Sequence, residues 1–300
     1  MRLDIEKIQS MVDEGKRLKL AQDFSYKGML LIGQDKVLSQ QDIKRLGDKV
    51  RGKLEIKMAG EALVSHKIRQ NLTSEIKSIF SEHGYYKNLG TAKRKKIEKL
   101  IENTISHNEY LCYALQHIHQ FSNELFYHSV HVALFSLIVD LAWQRRHNQG
   151  LIDGGKLESI LFGALLHDIG YLTMDKGVWD IKRLDKNPGE PNFKSHPTKG
   201  YELLKRDQSK HGYSKEILNV ILQHEERVNE SGFPMGLMKN QIDLNAQIVG
   251  LCNDFEHLLS GQLAGQLKDF LEISQYLIGR KDNYDKNCLN VLIEEFRYMD

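Results

Sequence analysis

Residues 157–170 read LESILFGALLHDIG, and this stretch decides the architecture. Leu157, Ile160, Leu161, Ala164 and Leu165 recur at helical spacing as one apolar stripe. Gly170 suits a helix C-terminal cap, so His167-Asp168 stands where helix gives way to loop. Further histidines follow outward at comparable intervals. His128 lies 39 residues before His167, His196 lies 29 after it, His224 28 beyond that, and Asn253-Asp254 a further 29 on. Phe121, Leu125, His128, Val132 and Phe135 share a helix face, which turns His128 inward, and Glu124 sits one turn before it. Ile217, Val220, Ile221 and His224 repeat the pattern behind Ser214 as N-cap. One inward histidine is ordinarily a hydrogen-bonded core residue, but four would need four separate buried partners. Imidazole mixed with carboxylate suits iron, manganese or zinc. The residues therefore read as a metal cluster inside a helical bundle.

The ordered set of His128, His167-Asp168, His196-Pro197, His224 and Gly232-Phe233-Pro234 resembles the HD-GYP family of the HD superfamily of metal-dependent phosphohydrolases. The resemblance covers residues 120 to 260 or so. It implies a mainly α fold, with a helical-bundle metal domain, and a binuclear centre of iron, with manganese as the alternative. Glu124, His128, His167, Asp168, His196 and His224 would be its ligands. The next family ligand is a second histidine, here Glu225, and the last is an aspartate, here Asn253 by ungapped counting, with Asp254 beside it as a substitute. Asp168 would bridge the ions, and Gly232, Phe233 and Pro234 would border the substrate. The implied substrate is cyclic di-GMP or a related nucleotide.

Three departures from the family pattern point to weak or degenerate catalysis. Tyr171 replaces a lysine that meets the substrate phosphate, so it takes that catalytic position with only a neutral hydroxyl. The turn Ser231-Gly232-Phe233-Pro234 lacks the family's tyrosine. Ser260 to Ala264 contains no base where the family has an arginine-rich stretch. Three function classes stay open: a phosphodiesterase, a non-catalytic cyclic-dinucleotide sensor that signals to a protein through its N-terminal module or the Gly-Phe-Pro loop, and a di-iron redox or oxygen-responsive protein.

Composition bounds the rest. Three hundred residues with 41% apolar content suit two domains with a sizeable core. Met29–Ile32 and Leu54–Met58 read as short strands, and Ser39 as the cap of a helix through Ile43 and Leu46. We therefore expect a small α+β regulatory module with a helical connector over residues 1–106 and a helical metal domain over 107–300. Lys and Arg total 42 against 40 Asp and Glu, so no net field draws the chain to nucleic acid or anionic lipid. Three scattered cysteines and the lack of an apolar leader suggest a cytoplasmic protein. The apolar run Val132–Trp143 is short for a membrane span.

Overall fold

The computed structural model describes residues 2–14, 16–34, 36–61, 66–148, 151–175, 193–206, 213–261 and 269–297. The protein divides into two compact units, Met1–Ser74 with Ile105–Tyr113, and Glu75–Thr104 with Ala114–Asp300. Most of the connector, residues 75–104, belongs to the second unit. Its apolar residues Ile76, Ile79, Phe80, Ile97 and Ile101 are all buried.

In the first unit, β2 (Lys16–Leu20) alternates polar residues with buried Leu18 and Leu20, the period-two pattern of a half-buried strand. It pairs antiparallel with β5 (Leu54–Glu61), which pairs on its other edge with β1 (Arg2–Leu3). A separate hairpin joins β3 (Phe24–Tyr26) to β4 (Met29–Ile32). Its turn passes through Lys27 and Gly28, both at positive φ, as tight hairpins require. Helix α1 (Ile5–Asp13) is capped by Asp4, and α2 (Gln40–Leu46) by a capping box between Ser39 and Asp42. Ile8, Leu18, Leu20, Ile43, Leu46 and Ile56 close the core between helices and sheet.

Helices α3 (His66–Glu82), α4 (Gly84–Asn88), α5 (Thr91–His107) and α6 (Glu109–Phe121) follow. The helical unit is built on α7 (Asn123–His147), whose N-cap is Ser122. This helix is long and apolar enough to cross a membrane by composition, yet 89% of its apolar window is buried inside the protein. Against α7 pack α8 (Gly154–Leu166), α11 (Leu244–Leu259) and α13 (Lys286–Phe296). Phe135, Phe255 and Phe296 meet there, with ring centroids 5.0–5.5 Å apart. The buried carboxylate of Asp140 is matched by Lys156 at 2.8 Å, which ties α7 to the start of α8. Helices α9 (His196–Arg206), α10 (Lys215–Gln223) and α12 (Phe270–Gly279) complete the unit.

One close approach positions the site. After α8, residues Ile169–Thr173 form a 3-10 turn against the start of α9. A Cβ on Gly170 would lie 2.0 Å from the carbonyl oxygen of His196 and 2.8 Å from the nitrogen of Gly200. Only glycine lets these two backbones meet, and their meeting brings His196 to Asp168.

Candidate metal centre

Each histidine of the site sits at or near a helix end. His128 lies in the second turn of α7, His167 caps the C-terminus of α8, His196 opens α9 and His224 caps α10. All four are buried, as is Asp168. Their Nδ1 atoms face acceptors: Glu256 for His128, the Ala164 carbonyl at 2.8 Å for His167, the Phe193 carbonyl at 2.7 Å for His196, and the Ile221 carbonyl at 3.0 Å for His224. A carbonyl oxygen only accepts, so each of those Nδ1 atoms carries the proton and each Nε2 presents a lone pair.

Those lone pairs converge. Nε2 of His128 and His167 are 3.2 Å apart, and those of His196 and His224 are 3.0 Å apart. Asp168 lies between the pairs and turns one oxygen to each. Its Oδ2 is 3.2 Å from His167 Nε2 and 3.6 Å from His128 Nε2. Its Oδ1 is 3.2 Å from His196 Nε2 and 3.6 Å from His224 Nε2. Burial pushes His224 down to about 4 and also lowers His196, which keeps both imidazoles neutral. Paired nitrogen lone pairs flanking a buried carboxylate repel one another unless a cation lies between them. The donor set therefore fits divalent metal, in two groups of three that share Asp168.

The remaining expected residues are placed unequally. Glu225 is buried, with Oε1 3.8 Å from His196 Nε2 and 3.9 Å from His224 Nε2, so it faces the second group. Asn253 is buried on α11, and its side-chain oxygen has no hydrogen-bond partner. Glu124 does not join them. It is exposed in the first turn of α7, because side chains tilt toward a helix's N-terminus and carry this one past the helix end. Asp254 is committed elsewhere, accepting from Arg227 at 2.8 and 2.9 Å and from the Tyr284 hydroxyl at 2.8 Å. Tyr171 is fully buried, and its ring stacks on His196 at 4.6 Å with 13° between the planes. Burial, followed by the charges of Asp168 and Glu225, pushes its hydroxyl well above the usual phenol range.

The Gly-Phe-Pro loop folds back on the end of α10. A Cβ on Gly232 would lie 2.3 Å from the nitrogen of Arg227, and Phe233 N donates to the Glu225 carbonyl at 3.1 Å. Phe233 is half-buried beside Phe193 and His196, with centroids 5.7 and 6.1 Å away, while Pro234 is exposed. The buried Glu226 accepts from Met235 N and Leu237 N and so fixes the loop's far side. Lys194 places its Nζ 5.8 Å from the Phe233 ring centroid, putting a cation at the rim. The loop segments carrying Pro188, Pro191, Gly150, Gly212 and His211, and the baseless Gln262–Ala264, lie outside the described residues.

Glu256, His257 and His131 escape the sequence reading. Glu256 is buried against His128 Nδ1, with His131 Nδ1 at 3.7 Å, and His257 stacks on the His128 ring at 4.5 Å. Burial alone would raise the Glu256 carboxyl, but His128 overcomes it and holds the group well below the usual carboxylate range. The signal was present: Glu256 and His257 follow Asn253 by three and four residues and share its face. Because Glu256 orients His128, replacing it with alanine should weaken metal binding about 10–100-fold, as loss of such outer partners does. Competition with a chelator of known affinity measures this, and an unchanged affinity would remove Glu256 from the site.

Residues 146–288 match the family model of the HD domain. The cyclic di-GMP phosphodiesterase response regulator RpfG of Xanthomonas campestris pv. campestris is 31% identical over 136 residues, which is 45% of this chain and 35% of that protein. A cyclic di-GMP phosphodiesterase of Thermotoga maritima is 33% identical over 106 residues, 34% of this chain and 27% of that protein. The matched stretch thus spans well under half of either relative. Among solved structures, an HDG"Y"P protein from Bdellovibrio bacteriovorus aligns at a TM-score of 0.46 with 18% identity, covering 94% of each chain.

Proposed function

We propose that this protein carries an HD domain of the HD-GYP type and that it binds and slowly hydrolyses a cyclic dinucleotide, cyclic di-GMP foremost, at a binuclear iron centre, with manganese as the alternative metal. The single observation that carries the reading is Asp168, with one oxygen toward His128 and His167 and the other toward His196 and His224. His128, His167 and Asp168 would hold one ion, and Asn253, whose side-chain oxygen has no hydrogen-bond partner, is a further candidate ligand of the centre. Asp168, His196 and His224 would hold the other, with Glu225 facing them as a further ligand. Imidazole and carboxylate together suit iron or manganese. Two such cations lower the pKa of a shared water and neutralise the non-bridging oxygens of a phosphodiester. The relatives named as cyclic di-GMP phosphodiesterases support the substrate class.

The protein's own groups set how far the reaction runs. Phe193 and Phe233 form an aromatic wall beside His196 against which a purine stacks. Tyr171 is packed behind His196 and offers phosphate no charge, so it is a positioning residue that fixes the imidazole plane. Arg227 is held by Asp254. Among the described residues, Lys194 at the rim is placed to supply a cation for the substrate phosphate. Hydrogen bonds to charged groups contribute roughly 1.5–3 kcal/mol, so Lys194→Ala should weaken cyclic di-GMP binding about ten- to a hundredfold.

The second reading is a sensor without turnover that passes binding to a protein through its N-terminal module or the Gly-Phe-Pro loop, and the uncharged, buried Tyr171 favours it. Calorimetry and product analysis with cyclic di-GMP separate the two. Saturable binding with slow conversion to linear dinucleotide or GMP supports the hydrolase, and binding without product supports the sensor. No binding at all would overturn both. The three buried free cysteines support a reducing, cytoplasmic setting.

A further inference from the structure

The N-terminal unit has a cavity of about 340 Å³ that no role described so far uses. Its walls include Lys16 and Arg17 from β2, the N-cap Ser39 and Gln41 from the start of α2, and Arg69 from the first part of α3. Lining it with them are Ser106 and a single acidic residue, Glu109. Arg17 and Arg69 are both half-buried, and neither guanidinium makes a hydrogen bond or ion pair among the described residues. The Nε of Arg69 is sealed from solvent and has no acceptor. A buried donor left unmade is costly, and native structures nearly always give it a protein, water or ligand partner. Three cations against one carboxylate leave the cavity with an excess of positive charge. The neighbouring acids are already matched: Asp42 by Lys36 at 2.6 Å, and Asp13 by the Gln40 amide at 2.6 Å.

We propose that this cavity is a binding site for a small phosphate-bearing ligand, held by the forked guanidiniums of Arg17 and Arg69. Guanidinium forks match the oxygen geometry of phosphate with paired, charge-assisted hydrogen bonds. A volume of this size accepts a phosphorylated metabolite up to about the dimensions of a mononucleotide, at the lower end of the range for ligand cavities. The site lies wholly within the first unit and shares no residue with the metal centre. It would give the module a ligand of its own to report.

Calorimetric titration of the full chain with inorganic phosphate tests this. The parent should bind saturably, and Arg17→Gln and Arg69→Gln should each weaken binding about tenfold or more. His167→Ala should leave this binding intact, because it alters only the metal centre. Matching circular dichroism melts show that each variant is folded, and Arg17→Gln stands in if Arg69→Gln is not. Absence of saturable binding by the parent would overturn the proposal. Affinity unchanged in both arginine variants, or lost in His167→Ala, would also overturn it, the latter by placing the phosphate at the metal centre.

Discussion

Asp168→Ala is expected to cost the proposed binuclear centre both of its ions. The carboxylate turns one oxygen to each histidine pair, so its removal takes a ligand and a negative charge from two positions together. Glu225 Oε1 stands farther off, 3.8 Å from His196 Nε2 and 3.9 Å from His224 Nε2. Losing only an outer partner costs about 10–100-fold in metal affinity, so loss of the shared ligand should exceed about 100-fold at each position. Hydrolysis of cyclic di-GMP should fall with it. Elemental analysis of the purified variant checks the first effect and product analysis the second. An Asp168→Ala protein that retains both ions would show that the histidine pairs bind independently.

The second large effect is on stability. Arg227 is nearly buried, and its guanidinium reaches both oxygens of Asp254, Glu225 Oε2 at 3.4 Å, and the carbonyls of His224 and Glu226 at 3.1 and 3.0 Å. Burial opposes its charge, but Asp254 and then Glu225 outweigh that and keep the group firmly protonated. Removing one partner of such a pair leaves the other charged and unmatched in a poorly solvated place, a loss of roughly 3–5 kcal/mol. Arg227→Met should therefore shift the urea midpoint far downward and release the end of α10 and its loop. Asp254→Asn, which keeps a hydrogen-bond acceptor, should lose less. A midpoint for Arg227→Met close to that of the parent would mean that Asp254 and Glu225 find solvent or another cation.

Much of this site could be read from the chain because helical spacing is strict. His128, His167, Asp168, His196 and His224 lie on inward stripes or at helix ends, and those positions follow from the apolar periodicity around them. Ser39 and Ser214 were legible as caps for the same local reason, since each accepts from a backbone amide three residues on. What spacing does not show is direction and distance. Glu124 shares a turn with His128, yet its side chain leaves the helix at the exposed end. Arg227 and Asp254 are 27 residues apart, and nothing local marks one as the other's counter-ion. Strand β2 was passed over because its run of Lys16, Arg17 and Lys19 conceals the two leucines that the sheet buries. Tyr171 was legible as a substitution but not as a ring stacked on His196, since stacking depends on the approach of α9 that Gly170 permits.

The most direct test of the account is the metal content of the full chain, purified without added metal, with its stoichiometry compared across three variants. Two ions per chain are predicted for the parent, one each for His128→Ala and His224→Ala, and none for Asp168→Ala. A parent with a single ion, or variants at the two histidines that lose the same ion, would contradict a centre divided by Asp168.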